Sequence, residues 1–204
     1  MNLFFLDFET TGLNPYYNDP IEIAIKQYNS ENYYQSFMIP NQMISSKITD
    51  ITHITNEIIK NEGQEKFKVI KDCIDFIKEN SSRGPIYLIA HNGNSFDFLI
   101  FKKIIKDYNQ KYNDNPIEKR IINRFKYIDS LLLSKLFLKE ERVNQPGLCR
   151  RYNICNDMEH RAIGDVNALE KLYIILCEQY SHSKSYNYNY YLERPEKLMD
   201  DCLI

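Results

Sequence analysis

The chain has 204 residues, of which 43% are hydrophobic and 26% charged, and its formal net charge at pH 7 is −2. That is the balance of a globular domain with a sizeable core. It excludes a global basic field, so any hold on a polyanion must come from a local site, with a metal ion as one source of positive charge.

Residues 2–8, NLFFLDF, read as a central strand that is apolar on both faces. TTGLNPYYNDP is a turn-rich connection, and IEIAIKQY then alternates, with Ile21, Ile23 and Ile25 on one face. YYQSFMIP is a third short strand closed by Pro40, so the chain is expected to open with an antiparallel meander. In ITDITHITNEII, Ile48, Ile51, Ile54 and Ile58 fall at helical spacing. EKFKVIKDCIDFIKEN predicts an amphipathic helix with Phe67, Ile70, Ile74 and Ile77 on its stripe, stopped by Gly84-Pro85. PIYLIA is a buried strand that runs into the loop HNGNS and a helix, FDFLIFKKIIKDY. FKYIDSLLLSKLF holds a further strand and helix, QPGLCRRYNI opens a short helix, and AIGDVNALEKLYIILCEQY is the last strong helix. The order βββ-α-β-α-β-α-α predicts an α/β fold, a mixed sheet flanked by helices. Residues 1–180 read as one domain, and the Tyr/Asn-rich segment 181–204 as a tail that straps the surface or frays.

Five cysteines, at positions 73, 149, 155, 177 and 202, include no CxxC pair and point to free thiols in a reducing compartment. No apolar stretch approaches a membrane span, and the N-terminus lacks the basic region of a signal peptide. The expectation is an intracellular protein, cytoplasmic or nuclear, with no membrane partner.

Side chains two apart on a strand point the same way, so Asp7 and Glu9 emerge together at the end of the first strand. Adjacent buried carboxylates repel, and a divalent cation relieves the repulsion. The competing reading, a strand that ends at Leu6 with both acids solvated, stands level with it. Asp97 falls in the first turn of a helix, with Asn94 and Ser95 as candidate N-caps, and there the helix dipole alone accounts for an acid. Asp165 also begins a helix. His160, five residues earlier, is badly spaced for a shared helical face and suits a loop over a site floored by the aspartate.

The combination is more specific than its parts. DFETTG, HNGNSFDF and HRAIGD, in that order over residues 1 to about 180, resemble the three motifs of the DnaQ-like 3′–5′ exonucleases of the DEDDh type, which include ribonuclease T and polymerase proofreading exonucleases. ITDITHITNEII resembles a segment of the proofreading exonuclease of Gram-positive polymerases, and IDSLLLSK the family's fifth strand, where Asp129 would be structural or lie behind the ligands.

The resemblance implies a ribonuclease-H-like five-stranded mixed sheet and hydrolysis of terminal phosphodiesters to 5′-mononucleotides. It implies two Mg²⁺ ions, replaceable by Mn²⁺, which suit a hard carboxylate floor. Asp7 would bridge both ions, Glu9 and Asp165 would complete the site of the nucleophile's metal, and Asp97 would hold the second. His160 would be the general base, a task for which histidine's titration near neutrality is apt. Arg161 occupies the place where the tyrosine variant of the superfamily carries its tyrosine, which favours the histidine class. Thr10, Thr11 and Glu9 would meet the terminal 3′-hydroxyl, Leu13 would wedge the last base, and Asn92 and Ser95 would touch the scissile region. For Leu13 simple loop packing is the alternative; His91 would either touch the scissile region too or be a satisfied histidine at the strand end. Arg150, Arg151 and Arg161 read either as a basic rim or as solvated arginines, and YNYNYY either as stacking faces or as a surface-packed tail. The partners expected are nucleic-acid 3′ ends and a polymerase or repair assembly, with DNA and single-stranded ends favoured over RNA trimming. A catalytically silent binding module would have lost one of the five key residues, and all five are present. An unrelated carboxylate-pair hydrolase would leave Asp97, His160 and Asp165 as accidents.

Overall fold

The computed structural model describes residues 1–138, 143–156 and 158–202. The chain opens with three strands, β1 (Leu3–Thr10), β2 (Pro20–Gln27) and β3 (Tyr33–Phe37). Helices α1 (Ser46–Thr52), α2 (Asn56–Glu62) and α3 (Lys66–Glu79) lead to β4 (Ile86–Ala90). Then come α4 (Asp97–Lys111), α5 (Lys119–Ile122), β5 (Phe125–Asp129), α6 (Ser130–Phe137) and α7 (Gln145–Arg151). The chain closes with α8 (Ala162–Ser183), α9 (Tyr190–Glu193) and α10 (Pro195–Cys202). The strands form one sheet in the order β3-β2-β1-β4-β5. β1 pairs antiparallel with β2 and parallel with β4, as expected of an α/β fold with a leading meander.

β1 is apolar throughout because both its faces are covered. Phe4, Leu6 and Phe8 enter a core shared with Ile70 and Ile74 of α3 and Phe98 and Phe101 of α4. Leu3 and Phe5 enter a second core with Leu169, Leu172 and Tyr173 of α8. Asp7 and Glu9 continue the Leu3–Phe5 face, which aims both carboxylates beneath the start of α8.

The isoleucines of residues 48–58 do not share one helix. His53 adopts a left-handed conformation (φ 58°) and ends α1, and the Thr55 side chain accepts from the Ile58 N–H at 3.0 Å to start α2. The stripe divides accordingly: Ile54 is buried in a small cluster with Ile21, Ile44 and Ile59, whereas Ile51 is exposed.

β2 departs further from its sequence pattern. IEIAIKQ alternates like a strand with one wet face, but α8 lies across that face. Lys26 Nζ pairs with Glu170 Oε2 of α8 at 2.7 Å, and Glu22 is fully buried. The charged residues are kept because each finds a partner on α8.

The tail packs against α8. Tyr191, Leu192 and Leu198 are buried in the α8-side core, and the rings of Tyr186 and Tyr190 stack on each other at 4.1 Å. Residues 203 and 204 lie outside the described residues. Among the described residues, no helix is long and apolar enough to cross a membrane.

Candidate active site

The carboxyl ends of the parallel strands β1 and β4 open into a cavity of about 420 Å³, lined by Asp7, Glu9, Leu13, Asn92, Asp97, His160 and Asp165, among others. This is where ligands of parallel sheets usually bind. One carboxylate oxygen each from Asp7, Glu9 and Asp165 lie within 4.8 Å of one another. Asp97 stands beside this trio rather than in it.

Each acid is delivered by a separate device. Asp7 and Glu9 come from the end of β1, where the ladder to β2 shifts register between Glu9 and Thr10. Such irregularities re-aim side chains next to active sites. The β1–β4 ladder spans only Leu3 to Phe5, and past its end the Phe8 N–H donates to Asp97 Oδ1 at 3.1 Å. Asp97 thereby ties α4 to β1. The N-cap of α4 is Phe96, with no side-chain cap bond, and not Asn94 or Ser95. The loop is held from below: Asp129, at the end of β5, accepts the N–H groups of Asn92 at 2.9 Å and Asn94 at 3.0 Å through its two oxygens. Gly93 is required there, because a Cβ would lie 2.6 Å from the Phe98 ring.

Asp165 sits in the first turn of α8. Its Oδ1 accepts from Asn156 Nδ2 at 2.8 Å, and its Oδ2 accepts from the His160 N–H at 3.1 Å. Gln145 Nε2 donates to the Asp165 carbonyl at 2.8 Å. His160 is on a loop with φ 62°, and its side chain is half-exposed, with Nε2 3.5 Å from Glu159 Oε1. The loop lies close on α8 because residue 164 is glycine; a Cβ there would fall 2.1 Å from the Met158 carbonyl oxygen.

Burial and mutual repulsion raise all four acids. Glu9 is pushed up to about 9, first by burial and then by the charges of Asp165 and Glu22. Burial pushes Asp97 to about 7, against the opposing bond from the Phe8 N–H. Burial also pushes Asp165 to about 6, against the bond from Asn156. Asp7 is raised well above the carboxylate range by burial and then by Asp97, Asp165 and Glu9. Clustered acids that resist ionisation in this way are a donor set suited to a divalent cation.

The other expected residues divide. Leu13 lies on the cavity rim and is 93% exposed, so loop packing does not explain it. Thr10 is buried, and its hydroxyl donates to the Gly12 carbonyl at 2.6 Å; Thr11 Oγ1 accepts from the Asp19 N–H at 3.0 Å. Both threonine side chains shape the turn. Asn92 lines the cavity with φ 63°, while Ser95 is exposed and is not part of the lining. His91 is satisfied, with Nδ1 2.9 Å from Ser130 Oγ and Nε2 2.8 Å from the Val143 carbonyl, and burial lowers its pKa.

Sequence reasoning missed Glu22. It pairs with Glu9 across the β1–β2 ladder. Its carboxylate accepts from Arg161 Nη2 at 2.9 Å, from the Ala162 N–H at 3.0 Å and from Gln35 Nε2 at 2.6 Å. Arg161, the N-cap of α8, has no side-chain cap bond of its own, so a carboxylate from β2 caps the helix instead. Arg161 therefore pairs with the buried Glu22 carboxylate, its partly exposed guanidinium over the Phe37 ring, and does not join a basic rim; Arg150 and Arg151 are exposed at the end of α7. Glu22→Ala is expected to lower stability by about 2–3 kcal/mol, below the usual range for breaking a buried pair, because repulsion on Asp7 and Glu9 is relieved at the same time. Adding Arg161→Met should recover part of the loss, since no unpaired charge remains. Urea denaturation of both variants checks this, and equal losses would refute the pairing account.

A family model described as an exonuclease, RNase T, matches residues 4–173. The PolC-type DNA polymerase III of Mycoplasma genitalium is 31% identical over 188 residues, covering 85% of this chain and 11% of the polymerase. That of Thermotoga maritima is 28% identical over 176 residues, covering 85% and 12%. The chain thus spans about a tenth of the length of these relatives. Among solved structures, exonuclease I superposes with a TM-score of 0.68 at 17% identity, covering 87% of this chain and 40% of that one. Exonuclease X, in complex with 5′-overhanging duplex DNA, gives 0.60 at 18% identity, covering 92% and 95%. The sheet order and flanking helices match this ribonuclease-H-like fold. The family depends on divalent metal, and this chain supplies an acidic cluster to hold it. The chain therefore belongs to the DnaQ-like 3′–5′ exonuclease family.

Proposed function

We propose that this protein hydrolyses the terminal phosphodiester at 3′ ends of nucleic acid, with DNA and single-stranded ends preferred, and releases 5′-mononucleotides. The observation that carries the reading is the trio of acidic oxygens within 4.8 Å, set in an open cavity with His160 and Leu13 on its walls. The preference for DNA is supported by the similarity to DNA polymerases and to an exonuclease whose structure contains DNA.

Asp7, Glu9 and Asp165 would hold divalent cations, Mg²⁺ or Mn²⁺, with Asp97 serving the second of two ions. Such ions supply charge that stabilises the attacking and leaving oxygens of an in-line displacement. The chain's own residues do the rest. His160, half-exposed on a loop anchored to Asp165, takes the proton of the attacking water at a ring nitrogen. Leu13 stacks against the terminal base and blocks onward passage. The backbone of Thr10 and Thr11 and the Glu9 carboxylate meet the 3′-hydroxyl, and Asn92 stands near the scissile phosphate. Asp129 contributes by fixing the loop that carries Asn92. The similarity to polymerases that contain such a domain supports a polymerase or repair assembly as the setting.

The test is incubation with 5′-labelled DNA and RNA oligonucleotides in Mg²⁺ or in excess chelator. A ladder that shortens from the 3′ end, is lost with chelator and is restored by Mg²⁺ or Mn²⁺ is the expected result. Undiminished cleavage in chelator would overturn the metal requirement, and faster cleavage of RNA would move the substrate to RNA.

A further inference from the structure

The loop between β1 and β2 carries more than Leu13. Tyr16 is 65% exposed and Tyr17 85% exposed, and both side chains project from a segment that is otherwise tightly built. The Asn14 N–H donates to Asn18 Oδ1 at 2.9 Å, and the Asn14 carbonyl accepts from the N–H groups of Tyr17 at 3.2 Å and Asn18 at 2.9 Å. Asn14 Oδ1 accepts from the Tyr16 N–H at 2.9 Å. The base of the loop is closed by the Thr11 N–H donating to the Asp19 carbonyl at 2.9 Å. Two large rings held in water on a preorganised loop do not contribute to the core.

Positive charge lies beside them. Lys103 Nζ donates to the Tyr16 carbonyl at 3.0 Å. It belongs to α4, the helix that delivers Asp97; Lys106 is exposed about a turn further along, whereas Lys102 sets its ammonium over the Tyr127 ring of β5 at 3.9 Å. Leu13 on the cavity rim and the tyrosine pair thus share one loop, and Lys103 of α4 touches that loop. Aromatic faces joined to a local strip of cations are the ingredients of a single-strand platform: bases stack on the rings, and phosphates lie along the positive charge. A chain with a net charge of −2 needs such a strip to be local.

We propose that Tyr16 and Tyr17, with Lys103 and Lys106 of α4, form a binding subsite for the nucleobases and phosphates of the single strand upstream of its 3′ end. The subsite takes any base, since every base offers a π-face, and it sets apparent affinity for the strand rather than the rate of the chemical step. The proposal rests on the reading of the acid cavity as the seat of the 3′ end.

The chain contains no tryptophan, so Tyr17→Trp installs a single reporter. In chelator, where cleavage is stopped, a thymidine oligonucleotide is expected to quench that fluorescence, and the quench should weaken as salt rises. In Mg²⁺, Tyr16→Ala and Tyr17→Ala should each raise KM for a single-stranded oligonucleotide at least about five-fold, the lower end of what one stacked base contributes. Hydrolysis of the p-nitrophenyl ester of thymidine 5′-monophosphate, which has no upstream strand, should be unchanged. A reporter that ignores the oligonucleotide, or alanine variants with unaltered KM, would overturn the subsite and leave the tyrosines to a protein contact. A wild-type protein that cleaves neither substrate would overturn the exonuclease reading instead, while the reporter still decides whether strand binds the loop.

Discussion

Asp7→Asn is expected to abolish divalent-ion binding and cleavage together, with a rate loss of more than about 10³-fold, beyond what the removal of a single hydrogen-bond donor costs an active site. The fold should survive, and the metal-free protein should become more stable. Asp7 is raised by burial and by four neighbouring acids, Asp97, Asp165, Glu9 and Glu22, so its charge burdens the cluster whenever no cation is bound. The sign of the pH dependence follows. Glu9, Asp97 and Asp165 titrate at about 9, 7 and 6 in the folded protein, well above the range near 4 of unfolded carboxylates. Between those limits the folded chain holds protons that the unfolded chain has lost, so stability falls as pH rises from about 4 to about 9. Metal-free protein should therefore melt at a higher temperature at pH 5 than at pH 8. Mn²⁺ should close most of that gap, and Asp7→Asn should narrow it without metal. Calorimetric Mn²⁺ titration and thermal melts check each point. A variant that unfolds, or that binds Mn²⁺ like the wild type, would remove Asp7 from the centre of the site.

His160→Ala should lower turnover by roughly 10²–10⁴-fold, the usual worth of a general base, and leave Mn²⁺ affinity and strand binding nearly intact. The histidine ring is not among the side chains that converge on the acidic trio, and its loop is anchored through the His160 N–H to Asp165 Oδ2. The anchor is backbone, so alanine keeps it. Asp165→Asn should behave differently and weaken Mn²⁺ binding as well. Single-turnover rates and Mn²⁺ titrations of both variants separate the two roles. Near wild-type cleavage by His160→Ala would assign the proton to another group.

What could be read from the sequence follows from what periodicity encodes. NLFFLDF announced a strand covered on both faces, but the spacing of Asp7 and Glu9 set them side by side only if that strand ran on past Leu6, which the sequence left level with a strand ending there. The helix starts that carry Asp97 and Asp165 were legible, because an apolar stripe begins just after each. The ordered resemblance of three motifs then supplied what spacing could not, that these segments meet. Glu22 was hidden because IEIAIKQ alternates as a half-wet strand would, and nothing local tells that a helix from residue 162 onward will lie across it. Gln145 and Asn156, which bond Asp165, sit in segments with no period, so nothing in the sequence showed where their side chains would point. The isoleucines at 48–58 misled in the opposite direction, since a left-handed residue at His53 leaves the spacing untouched while breaking the helix.

The acid trio takes two members from β1 and the third from α8, residues 7, 9 and 165, and this has a consequence for the order of folding. β1, β2 and β3 pair between near neighbours in sequence and close only short loops. Docking α8 on β1 closes a loop of about 160 residues, which is entropically slower to find. A refolding chain therefore gains its sheet hairpins before it gains a cation site. The return of Mn²⁺ affinity after dilution from denaturant is expected to time the arrival of α8.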